Sequence, residues 1–332
     1  MIVDEKFIRC YSDETMTPIA YTVSPYLTRY LEKIELSRRN LLLLPIIPKR
    51  ELGFLFQTTI NRVHYGLLLS GQTLKPGTIK TILSNQIVFA TQKHPERYGK
   101  TQNTIIQYKL ALDYIKRDWL LNNQAITLKT LYTLFSLTFE EKESFAEKKF
   151  QEILDYLQSS SDNPFILASL AKFAFRSAIS ITEETEIFST LCAYLFLYRG
   201  GMDCRGFLLL EKPWSEDRRI FLGQYQTALT KPNITSWLEY NVKLISLQLE
   251  QTYQDILINP AHAELDKTGK LNERQKTIMT LLEDPNAIIT NRTVQKIFHI
   301  SQITASRDLT KLTMLGLLFS HGKGRSVRYT RI

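Results

Sequence analysis

The chain has only three cysteines in 332 residues, Cys10, Cys192 and Cys204, odd in number and without metal-ligand spacing. That argues against a disulfide-stapled fold and a cysteine-held zinc cluster, and it points to a reduced thiol compartment. Long apolar runs are missing too. The longest, such as Leu41-Leu-Leu-Leu-Pro-Ile-Ile47, fall far short of the roughly 18 residues a membrane-spanning helix needs. The histidines (His64, His94, His262, His299 and His321) never pair at metal spacing. Glycine-rich phosphate loops of the kinase or dinucleotide type are absent, as are serine-elbow motifs. The opening Met1-Ile-Val-Asp-Glu-Lys6 carries acids where a secretory leader is basic. The expectation is a soluble cytoplasmic protein with no resident metal or cofactor and no membrane partner.

What is present is an ordinary globular composition, 44% hydrophobic and 23% charged, with room for two or three domains. The net charge of +9 is unevenly placed. From Leu271 onward ten basic side chains face four acidic ones, so the last 62 residues carry +6 of it. Such asymmetry points to a polyanion partner for this end of the chain.

The middle of the chain is organised around two apolar helical stretches. Pro164-Phe-Ile-Leu-Ala-Ser-Leu-Ala-Lys-Phe-Ala-Phe-Arg176 is broken only by Ser169, Lys172 and Arg176, and Ile187 to Tyr198 only by Ser189 and Thr190. Helices apolar nearly all round belong at the centre of a large helical domain. Asn163-Pro164 supplies a cap and a first-turn proline, and Gly200-Gly201 a stop. Around this pair the patterning predicts a mainly α fold. A short-strand or irregular lead-in is followed by helices at about 25–40, 49–69, 75–82, 101–120, 127–137, 140–158, 164–178, 183–199, 215–229 and 234–258. A strand-like Ile87-Val-Phe-Ala90 is expected between the third and fourth. Thr127 and Ser215 are expected N-caps, and Trp119, Trp214 and Trp237 expected core. The boundaries fall at 1–100, 101–258, a polar linker at 259–270, and 271–332.

The last segment has its own order of signals. Asn272-Glu-Arg-Gln275 is a capping box opening a helix. Ile288-Ile289 suits a short strand, Thr290 caps a helix with Val294 and Ile297 inward, and His299-Ile300 forms a turn in which His299 packs. Ser301 caps a helix with Ala305, Leu309 and Leu312 on one face, and Gly316 ends it. Leu317 to Thr330 forms a hairpin, with His321 on its surface. This is the layout of a winged helix-turn-helix. Gln302, Thr304, Ser306 and Arg307 would then face base edges, with the cap Ser301 also among the DNA-binding residues and Lys311, Lys323, Arg325 and Arg328 on phosphates of double-stranded DNA. A winged helix used for protein contacts is the competing expectation.

Residues Gln151 to Phe175 resemble the helix pair that precedes the signature loop of Fic (Fido-fold) proteins. Gly322-Lys-Gly-Arg-Ser-Val-Arg-Tyr329 resembles the winged helix that ends many bacterial members. The resemblance spans roughly residues 25–332 and makes residues 1–100 a Fic-associated helical region and 101–258 the Fic-like core. Family members carry His-Pro-Phe-x-Asp/Glu-Gly-Asn-Gly-Arg-x-x-Arg between the two central helices. The histidine there is the base, the acid holds magnesium, and the glycine turn with its arginine cradles nucleotide phosphates. Aligned without gaps, Ile179 stands at the base and Glu183 at the metal acid. Glu184, Thr185 and Glu186 replace the glycine turn, and Ile187 and Thr190 the arginines. An isoleucine accepts no proton, and carboxylates repel phosphate. The simpler account is that Thr182 caps the second helix and its first-turn glutamates suit the helix dipole. Only Thr138 to Phe145 is available for the family's substrate-presenting flap. Gly66-Leu-Leu-Leu-Ser-Gly71 has Ser70 where the family's inhibitory glutamate stands. His94-Pro95 lacks any glycine turn after it and is expected as loop surface.

The expected function is DNA binding, as a transcriptional regulator, with a catalytically inactive Fic-like domain as scaffold, homodimeriser or sensor. Two alternatives stand beside it. One is an AMP-transferring Fic enzyme with a non-standard site, using ATP and magnesium, and the other is an interaction module that partners an active Fic enzyme.

Overall fold

A computed structural model of the chain describes residues 6–12, 15–46, 48–89, 99–139, 145–180, 182–258, 271–282, 287–315, 317–322 and 327–331. The chain divides into two compact units, Met1–Tyr253 and Gln254–Ile332. In the first, β1 (Lys6–Ser12) and β2 (Thr15–Tyr21) form an antiparallel hairpin, with Lys6 opposite Tyr21 and Ser12 opposite Thr15. Helices follow: α1 (Pro25–Leu43), α2 (Pro48–Ser70), α3 (Pro76–Phe89), α4 (Lys100–Trp119), α5 (Leu128–Ser136), α6 (Glu147–Ser159), α7 (Pro164–Ser177), α8 (Glu183–Arg199), α9 (Glu211–Glu216), α10 (Arg218–Leu229) and α11 (Thr235–Ile258). Among the described residues no helix is long and apolar enough to cross a membrane.

Three sequence expectations are corrected here. Ile87-Val-Phe89 is the last turn of α3 and not a strand; β-branched residues are tolerated there because the preceding Pro76-to-Ile82 segment has already nucleated the helix. Ser215 lies inside α9, and the cap of the next helix is Asp217, whose carboxylate accepts the Ile220 N–H at 3.0 Å. The sixth helix starts at Glu147 and not near residue 140. His94-Pro95 and the 259–270 linker lie outside the described residues.

The centre of this unit is α7 against α8, the most closely engaged pair of helices. Side chains are buried from Ala168 to Arg176 and from Thr185 to Tyr198. Aromatic rings fill the surroundings: Phe150 stacks on Phe188 with centroids 5.5 Å apart, and Trp237 meets Phe173 at 5.7 Å. Trp119, Trp214 and Trp237 are all buried, as their apolar settings predict. Gly66 has a packing reason, because a Cβ there would stand 2.4 Å from Cε1 of Tyr108. The glycine lets α2 and α4 approach until that ring lies on the α2 backbone. The Tyr108 hydroxyl then donates to buried Glu211 at 2.6 Å, and Tyr194 donates to the other carboxylate oxygen at 2.7 Å. Arg62 of α2 lies over the Tyr194 ring and donates to the carbonyls of Leu208 and Gly206. Tyr108, Tyr194 and Arg62 are thereby given acceptors inside the apolar interior, which offsets the cost of burying them.

The second unit contains α12 (Glu273–Leu281), β3 (Ile289–Thr290), α13 (Asn291–Phe298), α14 (Gln302–Met314), β4 (Leu318–His321) and β5 (Arg328–Arg331). Its sheet is antiparallel in the order β3-β5-β4, with Thr290 and His321 both opposite Arg328. Ile278, Val294, Ala305, Leu309 and Leu312 form the centre of its separate core.

Candidate functional site

The joint between α7 and α8 is built by local rules. The Asn163 side chain accepts the Phe165 N–H at 3.0 Å and Pro164 opens the helix. Thr182 begins α8, its backbone N–H donating to Thr185 Oγ1 at 3.0 Å, so the expected cap is present. Helical spacing then sets Lys172 and Arg176 one turn apart on α7, and Glu186, Ser189 and Thr190 on one face of α8. The two faces meet. Lys172 Nζ lies 2.9 Å from Glu186 Oε2, Ser189 Oγ and Thr190 Oγ1, and 3.0 Å from the Glu186 carbonyl. Arg176 Nε donates to Glu186 Oε1 at 2.6 Å. Aromatic faces close the cluster, with Trp214 5.2 Å from the ammonium and Tyr225 3.7 Å from the guanidinium carbon. Burial alone would raise the Glu186 carboxyl, but the charges and hydrogen bonds of Lys172 and Arg176 outweigh it and hold it below its usual range.

Glu184 and Glu186, both in the first turn of α8, differ in their surroundings. Glu186 is a core anion between two core cations, while Glu184 is partly exposed and reaches Lys100 of α4 at 3.8 Å. The Glu183 side chain lies outside the described residues. Ile179 is half-buried and Ile187 buried. The polar interruptions of the two apolar stretches were visible in the sequence. Their i, i+4 spacing on each helix is the signal that could have paired them. An open cleft of about 310 Å³ lies elsewhere, between Gln72, Thr73 and Leu74 and the first turn of α4.

The second candidate is the surface of α14. Ser301 caps this helix by accepting the Thr304 N–H at 3.2 Å, and the two hydroxyls are 3.0 Å apart. Thr304 is half-buried, and its hydroxyl is shared with the cap. Gln302, Ser306, Arg307 and Lys311 are exposed, as is Arg328 on β5. Lys323 and Arg325 lie outside the described residues. The exposed stripe also contains Ile303 and Thr310, which sequence reasoning missed. Its other face is locked down: Asp308 accepts from Arg274 Nε at 2.5 Å and from Gln275 Nε2 at 2.6 Å. Gln275 belongs to the capping box with Asn272 that opens α12. The α13–α14 turn is made by His299 in the left-handed conformation at φ 50°. His299 is exposed and not packed, and Ile297 is exposed, while Val294 and Phe298 are the α13 side chains that meet the core.

No family model and no curated protein sequence matches the chain. Solved structures do. A Fic family protein from Desulfovibrio desulfuricans aligns with a TM-score of 0.58 over 94% of this chain and 97% of its own, at 11% identity. Fic-1 from C. elegans aligns with a TM-score of 0.51 over 71% of this chain and 74% of its own, at 16% identity. The chain has the Fic fold. At such identities the likeness concerns the path of the backbone and assigns no residue a role. Within this Fic fold, the α7–α8 joint carries the side chains described above.

Proposed function

We propose that this protein is a DNA-binding regulator whose C-terminal unit acts as a winged helix-turn-helix and whose Fic-like unit serves as scaffold, dimeriser or sensor. The observation that carries the reading is the exposed stripe Gln302, Ser306, Arg307 and Lys311 on a helix whose opposite face is fully committed to the core. Hydrogen-bonding side chains on a rigid helix suit base edges in a major groove, and the surrounding bases suit phosphates. The +6 charge of residues 271–332 supports a polyanion as the partner. The α7–α8 joint supports a non-catalytic role for the other unit. Ile179 offers no base, and Glu186 already pairs with both nearby cations, Lys172 and Arg176, in a buried cluster, so these residues do not suit a triphosphate.

Gel-shift titration of the full chain on genomic fragments at several salt concentrations tests the reading. Neutralising about five phosphates gives a slope of log affinity on log salt near −4.5. A complete lack of binding, or binding indifferent to salt, overturns it. The Fic fold itself favours a second reading, AMP transfer from ATP with magnesium, for which Glu183 occupies the metal-acid position of the motif. Calorimetry with ATP and magnesium separates the two, since the regulator reading expects no heat from a site at that joint. Co-purification of an active Fic enzyme, with no DNA bound, would instead favour the interaction module.

A further inference from the structure

Ile303 is the one large apolar side chain on the exposed stripe of α14 near its start, and neither the core nor phosphate contact accounts for it. It is 65% exposed, next to Gln302 and one turn before Ser306 and Arg307. The same helix buries Ala305, Leu309 and Leu312 completely on its other side, so its apolar residues have a core to enter, and Ile303 is left out of it. Alanine-like small or polar residues would serve a merely solvated position as well. The polar and basic neighbours of Ile303, in a segment of net charge +6, favour a polyanion over an apolar protein groove as the occupant of this face.

Double-stranded DNA presents one kind of apolar group in its major groove, the 5-methyl of thymine; phosphates and the other base-edge groups there are polar. Resting on the DNA-binding reading above, we infer that Ile303 selects a thymine in the recognised sequence by covering that methyl. Gln302 and Arg307, on the same face, are placed to hydrogen-bond the bases to either side. The recognised sequence therefore contains a thymine whose identity is read through one carbon atom, while the phosphate contacts remain indifferent to it.

The test uses the full chain. Duplexes that bind are enriched from a random-sequence pool, and in the enriched duplex each thymine is replaced singly by deoxyuridine, which lacks only the methyl. At one thymine per bound copy, the replacement should weaken binding about fourfold, the value of one buried methyl group. Ile303→Ala should weaken binding to the unmodified duplex by a similar or larger factor and should no longer distinguish thymine from uracil at that position. Its other thymine positions should respond as in the parent protein. The substitution is at an exposed site, so the thermal melt should be unchanged, which separates loss of contact from loss of fold. Equal binding of every deoxyuridine duplex overturns the inference, as does a methyl effect that survives in Ile303→Ala. Binding without any enriched sequence overturns it while leaving the DNA-binding reading intact. No binding to any duplex overturns both.

Discussion

Replacing Glu186 by glutamine would remove one negative charge from a cluster in which Lys172 is fully buried and Arg176 nearly so, at 0% and 3% side-chain exposure. The amide keeps the size of the carboxylate and one acceptor oxygen, so packing is little changed and the effect isolates charge. Two buried cations are then left without a counter-ion. Breaking a buried pair by removing one partner costs about 3–5 kcal/mol, because the remaining charge stays desolvated. For a unit of this size that lowers the melting temperature by about 6–20 °C. The pH dependence provides an independent readout. In the parent protein Glu186 has a folded pKa held below its unfolded one. Its contribution is therefore complete above the ordinary carboxylate range and is lost as pH falls through the folded value. Glu186→Gln lacks that acid limb. In the variant Lys172, desolvated and unpaired, favours its neutral form, so the unfolded chain binds more protons. Stability then climbs with pH below the ordinary lysine range, more steeply than in the parent. Denaturant melts across pH, followed by tryptophan fluorescence of the first unit, measure both. Replacing the cluster by apolar residues of similar volume (K172M, R176M and E186L together) should recover most of the loss. A loss below about 1 kcal/mol, with pH curves parallel to the parent, would refute the assignment of Glu186 as a buried counter-ion.

Gly66→Ala places a methyl 2.4 Å from the Tyr108 ring, which Glu211 holds in place, and should cost about 1–3 kcal/mol in a denaturant melt. Asp308→Asn weakens the tie between α14 and α12 by about 1.5–3 kcal/mol. Burial works against the Asp308 charge, but Arg274 and Gln275 outweigh it and hold its pKa low. Its contribution is therefore present above the ordinary aspartate range and lost as pH falls through the folded value, so the variant's melt should depend less on pH in acid. Arg328→Ala should weaken DNA binding evenly across sequences and make the salt slope shallower by about 0.9, as measured by gel shift, whereas Arg307→Ala should also relax sequence preference.

Helix beginnings were legible in the sequence wherever the cap lies within four residues of the groups it satisfies. Asn163-Pro164, Thr182, Asn272, Thr290 and Ser301 all begin helices where expected. The apolar runs of α7 and α8 likewise announced a buried pair, since a helix apolar all round has no solvent face to offer. Ser215 misled because serine suits a cap only when the preceding residues are not already helical, and Glu211 starts α9 upstream of it. For the α14 surface, helical periodicity identified the buried face correctly. It could not reveal that Thr304 is drawn back to its own cap, nor that Ile303 is excluded from the core.

The amino-acid sequence alone therefore determined the mainly helical class, the central helix pair and the basic C-terminal segment, because caps, periodicity and charge are properties of neighbouring residues. Tertiary structure alone decided that Glu186 is the counter-ion of Lys172 and Arg176, that Gly66 makes room for Tyr108, and that Ile303 faces outward. Each depends on which helix faces which, and at what rotation. That is set by the simultaneous burial of many side chains far apart in the chain, for which no local stretch carries a signal.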